Sequence, residues 1–277
     1  MTSTLETKPT PRSAEEERLI ELRRREARQR WIWRIAGYVV VLVSWQLVSS
    51  FVFDSRIVPG PIQILEAFPV IMGEGRFLES YGATLTRIGI GFGLAFVFGV
   101  LLGIAMQIPF ISGFFKDAIT IGLVTPGLVW ALTGLVIWGF EPQGWIFAIF
   151  VTTYALVTVN VAEGVRALPK DLIDMSRAFG VTSWRRQRDV VVPFLAPFLF
   201  TALRFGFSIA WKITVLTEVL ASTKGIGFEM RVAQQLFRMD EFFAWALSFF
   251  IFALALEKLV LQRFERKFFR WREEIAT

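Results

Sequence analysis

Four charged side chains stand within or beside stretches that are otherwise apolar: Arg87, Arg204, Lys212 and Glu218. Ionisable groups in such surroundings are costly unless they are paired or put to use, so each is a functional candidate. Lys212 can attract an anion, pair with Glu218 across a dimer, or satisfy backbone carbonyls. Arg204 lies nearer the opposite end of its segment. The chain contains no His and no Cys. That removes histidine general bases, thiolate nucleophiles, disulfides and most transition-metal sites, so no catalytic and no metal residues are assigned. It also lacks a Gly-Lys-Ser/Thr phosphate-binding motif and cannot cradle a nucleotide in that way.

A second constellation lies in a polar stretch, Leu168–Pro193. Pro169 suits the first turn of a helix, where its missing N–H is no loss. Leu172, Met175 and Phe179 then fall at i, i+3 and i+7 on one face. Gly180 can supply a left-handed cap, and Thr182 or Ser183 can start a second, basic helix near Trp184. A free helix of about ten residues is marginal in water. It is stable if its apolar face sits in a partner's groove, or if it packs on its own protein or on a membrane surface. The pattern alone leaves both open.

The elements that position these residues are membrane spans. Of the 277 residues 54% are hydrophobic, and 29 Phe and 10 Trp accompany only three Tyr. Ile35–Phe53, Ile88–Phe115, Ala118–Phe140 and Pro142–Ala162 carry no charge, and each is long enough to cross a bilayer. A fifth span follows Pro193 and holds Arg204, Lys212 and Glu218. A sixth runs from Phe242 to about Leu261. The fold class is therefore all-α, a polytopic membrane protein of about six transmembrane helices. In the third span Pro126 loosens the backbone bonds, and Trp130 either lines a pathway or packs. In the second, small residues recur at Gly91, Ala95, Gly99 and Gly103, with Gly89 and Gly93 alongside, a spacing that lets helix backbones approach closely.

Residues 1–34 form a tail with no apolar signal-peptide region. Its first 13 residues read as disordered. In Ala14–Arg30 the pairs Glu21/Arg25 and Glu26/Arg30 support a solvated helix, with anionic lipid as an alternative contact. The spans and loops occupy 35–262, including the loop 163–193, and a basic tail occupies 263–277. The formal charge of +6 follows topology. With both termini and the loop on the cytoplasmic side, 22 of the 30 Lys and Arg residues lie there and five lie outside. The basic balance therefore does not call for nucleic acid.

The loop resembles that of the binding-protein-dependent ABC importer permeases, patterned Glu-Ala-Ala, three residues, Gly, nine residues, Ile-x-Leu-Pro. Asp174-Met175-Ser176 takes the first three places, Gly180 follows in register, and Val190, Val192 and Pro193 complete it without a gap. Asp replaces Glu, Met-Ser replaces the small pair, and Val replaces Ile and Leu. Residues 35–272 are similar to the nitrate, sulfonate, taurine and bicarbonate permeases through Val58-Pro59-Gly60-Pro61, Thr84-Leu85-Thr86-Arg87, Thr125-Pro126 with Trp130, Leu203-Arg204, Ala210-Trp211, Glu218-Val219-Leu220 and Gly225-Ile226-Gly227.

The resemblance implies a type I ABC importer permease fold in the bacterial inner membrane. It implies a second permease copy, two ATPase subunits carrying ATP and magnesium, and an extracytoplasmic substrate-binding protein, with no cofactor on this chain itself. Leu172, Asp174, Met175, Arg177, Phe179, Gly180 and Pro193 are then ATPase-coupling positions. Pro126, Trp130, Arg204, Lys212 and Glu218 are candidates for the translocation pathway of a small, anionic solute. An ATP-independent channel or carrier would leave the Asp174–Pro193 register unexplained, and an uncharged heterocycle remains an alternative cargo.

Overall fold

A computed structural model describes residues 14–54, 57–73, 75–261 and 263. The expectations for residues 1–13 and for nearly all of 263–277 fall outside them. Every regular element among the described residues is helical.

The first unit, to residue 63, is dominated by α1, Ala14–Phe51. The charged segment and the first apolar block are one continuous helix rather than a tail followed by a span. No Pro stands at their junction to break it, and Gly37 is accommodated within the helix. Arg30 donates to the Glu26 carbonyl rather than to its carboxylate. Beyond α1 the Val58-Pro59-Gly60 segment is fastened back by Ser49, whose hydroxyl donates to the Val58 carbonyl at 2.7 Å.

The helix α2, Pro61–Gly73, was not anticipated; it buries Ile64, Ala67 and Ile71 along one side. The second unit is built on α3 (Arg76–Ala105), α6 (Pro142–Arg166) and α9 (Val192–Ala221), which pack directly on one another. The small-residue stripe of α3 does what its spacing predicts. A Cβ on Gly99 would lie 2.7 Å from the Val157 side chain and 2.9 Å from the Tyr154 carbonyl, and one on Gly103 would lie 2.7 Å from Val161. Gly89 and Gly93 face open space.

The turn after α3 falls at Met106–Ile108, inside the apolar block Ile88–Phe115 that was expected to form one span. Pro109 sets the boundary by opening α4, Pro109–Val124. The expected third span is broken. α4 and α5 (Gly127–Trp138) meet at 102°. Pro126 has no N–H to continue the ladder, and the residue before a proline is forced extended, which is where Thr125 lies at φ −71° and ψ 127°. Among the described residues five helices are long and apolar enough to cross a membrane, or six if this bent pair is one span.

After α6 come α7 (Lys170–Ala178) and α8 (Ser183–Arg186). α8 runs without interruption through a π turn, Gln187–Val191, into α9. Pro193 therefore stands inside one long helix rather than between two. The π turn lets the Val192 N–H reach Gln187, five residues back, immediately before the proline that has no N–H. α10, Ile226–Gln235, is a second unanticipated short helix. α11, Met239–Leu256, ends in a π turn, Glu257–Leu261.

Candidate functional site

The loop between α6 and α9 is stiffened by its own backbone. Gly180 has φ +67°, the left-handed region that favours glycine. Its N–H bonds the Arg177 carbonyl at 2.9 Å, and the Val181 N–H bonds that of Ser176 at 3.0 Å. These two bonds form a Schellman cap, as the sequence predicted. Thr182 stands at the N-cap of α8, but its side chain makes no capping bond. Ser176 is the buried residue of α7, and its hydroxyl returns to the Ile173 carbonyl at 2.7 Å. Asp174 and Arg177 pair at 3.3 Å on the exposed side. Leu172 is half-buried, whereas Met175, Phe179 and Trp184 are exposed, Phe179 at 79%. The loop thus offers an aromatic and thioether surface that the described residues do not cover.

The charged residues fall into three groups. Glu218 lies near the end of α9 away from this loop, 1% exposed. Arg87 Nη1 donates to Glu218 Oε1 at 2.7 Å and to the Lys224 carbonyl at 2.6 Å, and its guanidinium lies 5.8 Å from the Trp145 ring centre. The Gly227 N–H donates to Oε2 at 3.0 Å, and Thr84 Oγ1 lies 2.9 Å from both carboxylate oxygens while accepting from the Ile226 N–H. Gly225, at φ +112°, lets the chain pass so close that a Cβ there would sit 2.3 Å from Glu218 Oε1. Glu218 therefore joins α3 and α9 to the start of α10. Within the chain Glu218 is paired with Arg87, not with Lys212.

Arg204 pairs with Glu257, the first residue of the π turn that ends α11. Lys212 is exposed, and among the described residues it has no ion-pair or hydrogen-bond partner. Pro126 marks the α4–α5 bend, and Trp130 packs edge-on against Phe147 with its Nε1 unpartnered. The sequence reading missed Thr84, Gly225, Gly227 and Glu257 as interacting residues. The opposite charges of Arg87 and Glu218 in apolar segments were the available signal for the buried pair.

A family described as the binding-protein-dependent transport system inner membrane component matches residues 91–270. The chain belongs to that family. Among curated relatives, this permease is 28% identical to the taurine transport system permease protein TauC of Escherichia coli, over 93% of this chain and 98% of the relative. It is 30% identical to the nitrate import permease protein NrtB of Synechocystis, over 68% and 72%. It is 28% identical to the bicarbonate transport system permease protein CmpB of Synechococcus elongatus, over 70% and 74%. Its fold is similar to solved chains of the inward-facing MetNI methionine ABC transporter (TM-score 0.55, 17% identity, covering 67% of this chain and 92% of that one) and of an amino acid ABC transporter (TM-score 0.59, 19% identity, covering 74% and 97%). The permease is thus a multi-pass inner-membrane subunit of an ABC importer, with the all-α fold its sequence led us to expect.

Proposed function

We propose that this permease carries a small anionic solute inward and is driven by ATPase subunits bound at the α6–α9 loop. The observation that carries the anionic reading is Lys212, an exposed cation in an apolar helix with no partner among the described residues. Such a residue faces a hydrated pathway or a companion subunit rather than lipid. The names of the taurine, nitrate and bicarbonate relatives point the same way.

Two copies of the chain would enclose the pathway, with two ATPases beneath and a substrate-binding protein delivering solute from the other side. Both termini and the loop would face the cytoplasm, in keeping with the distribution of Lys and Arg. ATP and magnesium would be held by the ATPases. Met175, Phe179 and Trp184 would dock in an ATPase cleft, with Asp174 and Arg177 at its rim. The continuity of α8 with α9 gives the coupling a physical route, because a push on the loop moves the helix that bears Lys212.

The test is reconstitution of the permease with its ATPase and binding protein in vesicles, followed by uptake of taurine, nitrate and bicarbonate. ATP-dependent accumulation of one of them is expected. Uptake by the permease alone, without an ATPase, would refute the reading.

A further inference from the structure

Lys212 is one end of a polar stripe. Arg204, Ser208 and Lys212 follow at four-residue steps along α9 and so share a face about 12 Å long. A cleft of about 350 Å³ opens along the Arg204 end of the stripe, between α9 and α11. Trp211, Phe207, Phe250 and Leu254 form apolar walls, while Arg204, Ser208 and Glu257 supply the polar groups. α9 and α11 meet through rings, Trp211 stacking on Phe249 at 4.7 Å and on Phe252 at 5.4 Å. Trp211 is 5% exposed, and its indole N–H has no acceptor among the described residues. The Arg204–Glu257 pair is not sealed. Its side chains are 35% and 32% exposed.

We propose that this cleft is a second oxyanion station, at which Arg204 takes the solute from Lys212 and Glu257 competes with it for the guanidinium. The inference rests on the anionic pathway proposed above. A guanidinium presents a planar fork of donors that matches a carboxylate, nitrate, bicarbonate or sulfonate group. A lone Arg in an aromatic cleft would hold such an anion too firmly for release. Glu257 comes from a different helix and is partly solvated. It can yield the fork to an arriving anion and reclaim it when the anion leaves. The cleft volume is at the small end of the range for ligand pockets, enough for a small oxyanion. Ser208 Oγ–H adds a further donor on the cleft wall.

The test compares Glu257→Gln with Arg204→Gln in the detergent-purified permease–ATPase complex, without binding protein. Thermal protection is measured against nitrate, bicarbonate and taurine, with Lys212→Ala alongside. The station predicts opposite effects. Glu257→Gln should lower the half-protecting concentration about tenfold and slow maximal uptake in vesicles, whereas Arg204→Gln should raise that concentration about tenfold. A merely structural ion pair predicts that both variants lose stability and shift protection in the same direction, and that outcome overturns the proposal. If Lys212→Ala weakens protection while the other two variants move together, the station fails and the anionic pathway stands. If none of the three anions protects the unaltered complex, the anionic pathway fails as well.

Discussion

Glu218 and Arg87 lie 131 residues apart in sequence, on α9 and α3, yet their side chains meet at 2.7 Å in a site where the carboxylate is 1% exposed. Removing one partner of a buried pair leaves a charge without compensation and costs about 3 kcal/mol or more. Glu218→Gln and Arg87→Ala are each expected to lower the thermal midpoint of the purified permease. The double variant should lose less than the sum of the two, because neither charge is then stranded. A thermal-melt double-mutant cycle checks this, and additive losses would refute the coupling.

Packing between α3 and α6 yields a second expectation. Gly99→Ala places a methyl 2.7 Å from Val157 and 2.9 Å from a backbone oxygen, so the helices must separate. Overpacking of this kind costs about 1–3 kcal/mol. Gly93→Ala, on the same helix but facing open space, should cost nothing measurable. Melting midpoints of the two variants provide the comparison.

At the loop, Phe179→Ser should leave membrane insertion and thermal stability unchanged, since the ring is exposed. It should abolish transport-linked ATP hydrolysis in the assembled complex. Gly180→Trp should do the same and also strain the cap, because a side chain at φ +67° is disfavoured by roughly 1 kcal/mol. Stimulated hydrolysis at the unaltered rate in both variants would refute the coupling role.

For the pathway, Lys212→Ala should reduce uptake at least tenfold while the permease keeps its melting midpoint, because Lys212 has no ion-pair or hydrogen-bond partner among the described residues. Lys212→Arg should retain most of the uptake. Uptake kinetics in vesicles measure both, and full activity of Lys212→Ala would remove the residue from the pathway.

What could be read in advance follows the range over which each signal acts. The Gly91–Gly103 stripe is a spacing readable along one helix and the Gly180 cap depends on its immediate neighbours, and both are formed as the residue types indicate, although the stripe's partners on α6 are distant in sequence. The break at Pro126 was visible as a weakness, but its 102° angle was not, since apolar residues flank it on both sides and mark no change of direction. The continuity of α8 with α9 was hidden because Pro193 reads as a boundary, whereas a π turn accommodates it. Glu218 and Glu257 took their partners from distant helices, Arg87 and Arg204, and spacing along one segment carries no information about such pairs.

α1 has a consequence of scale. At 1.5 Å per residue its 38 residues measure about 57 Å, against a hydrocarbon thickness of about 30 Å. Even with some tilt, a large part of this helix must leave the lipid as a rigid mast. The candidate span within it is Arg28–Phe51, so residues 14–27 continue the same helix beyond the span, with a reach set by helix geometry and not by the slack of a tail.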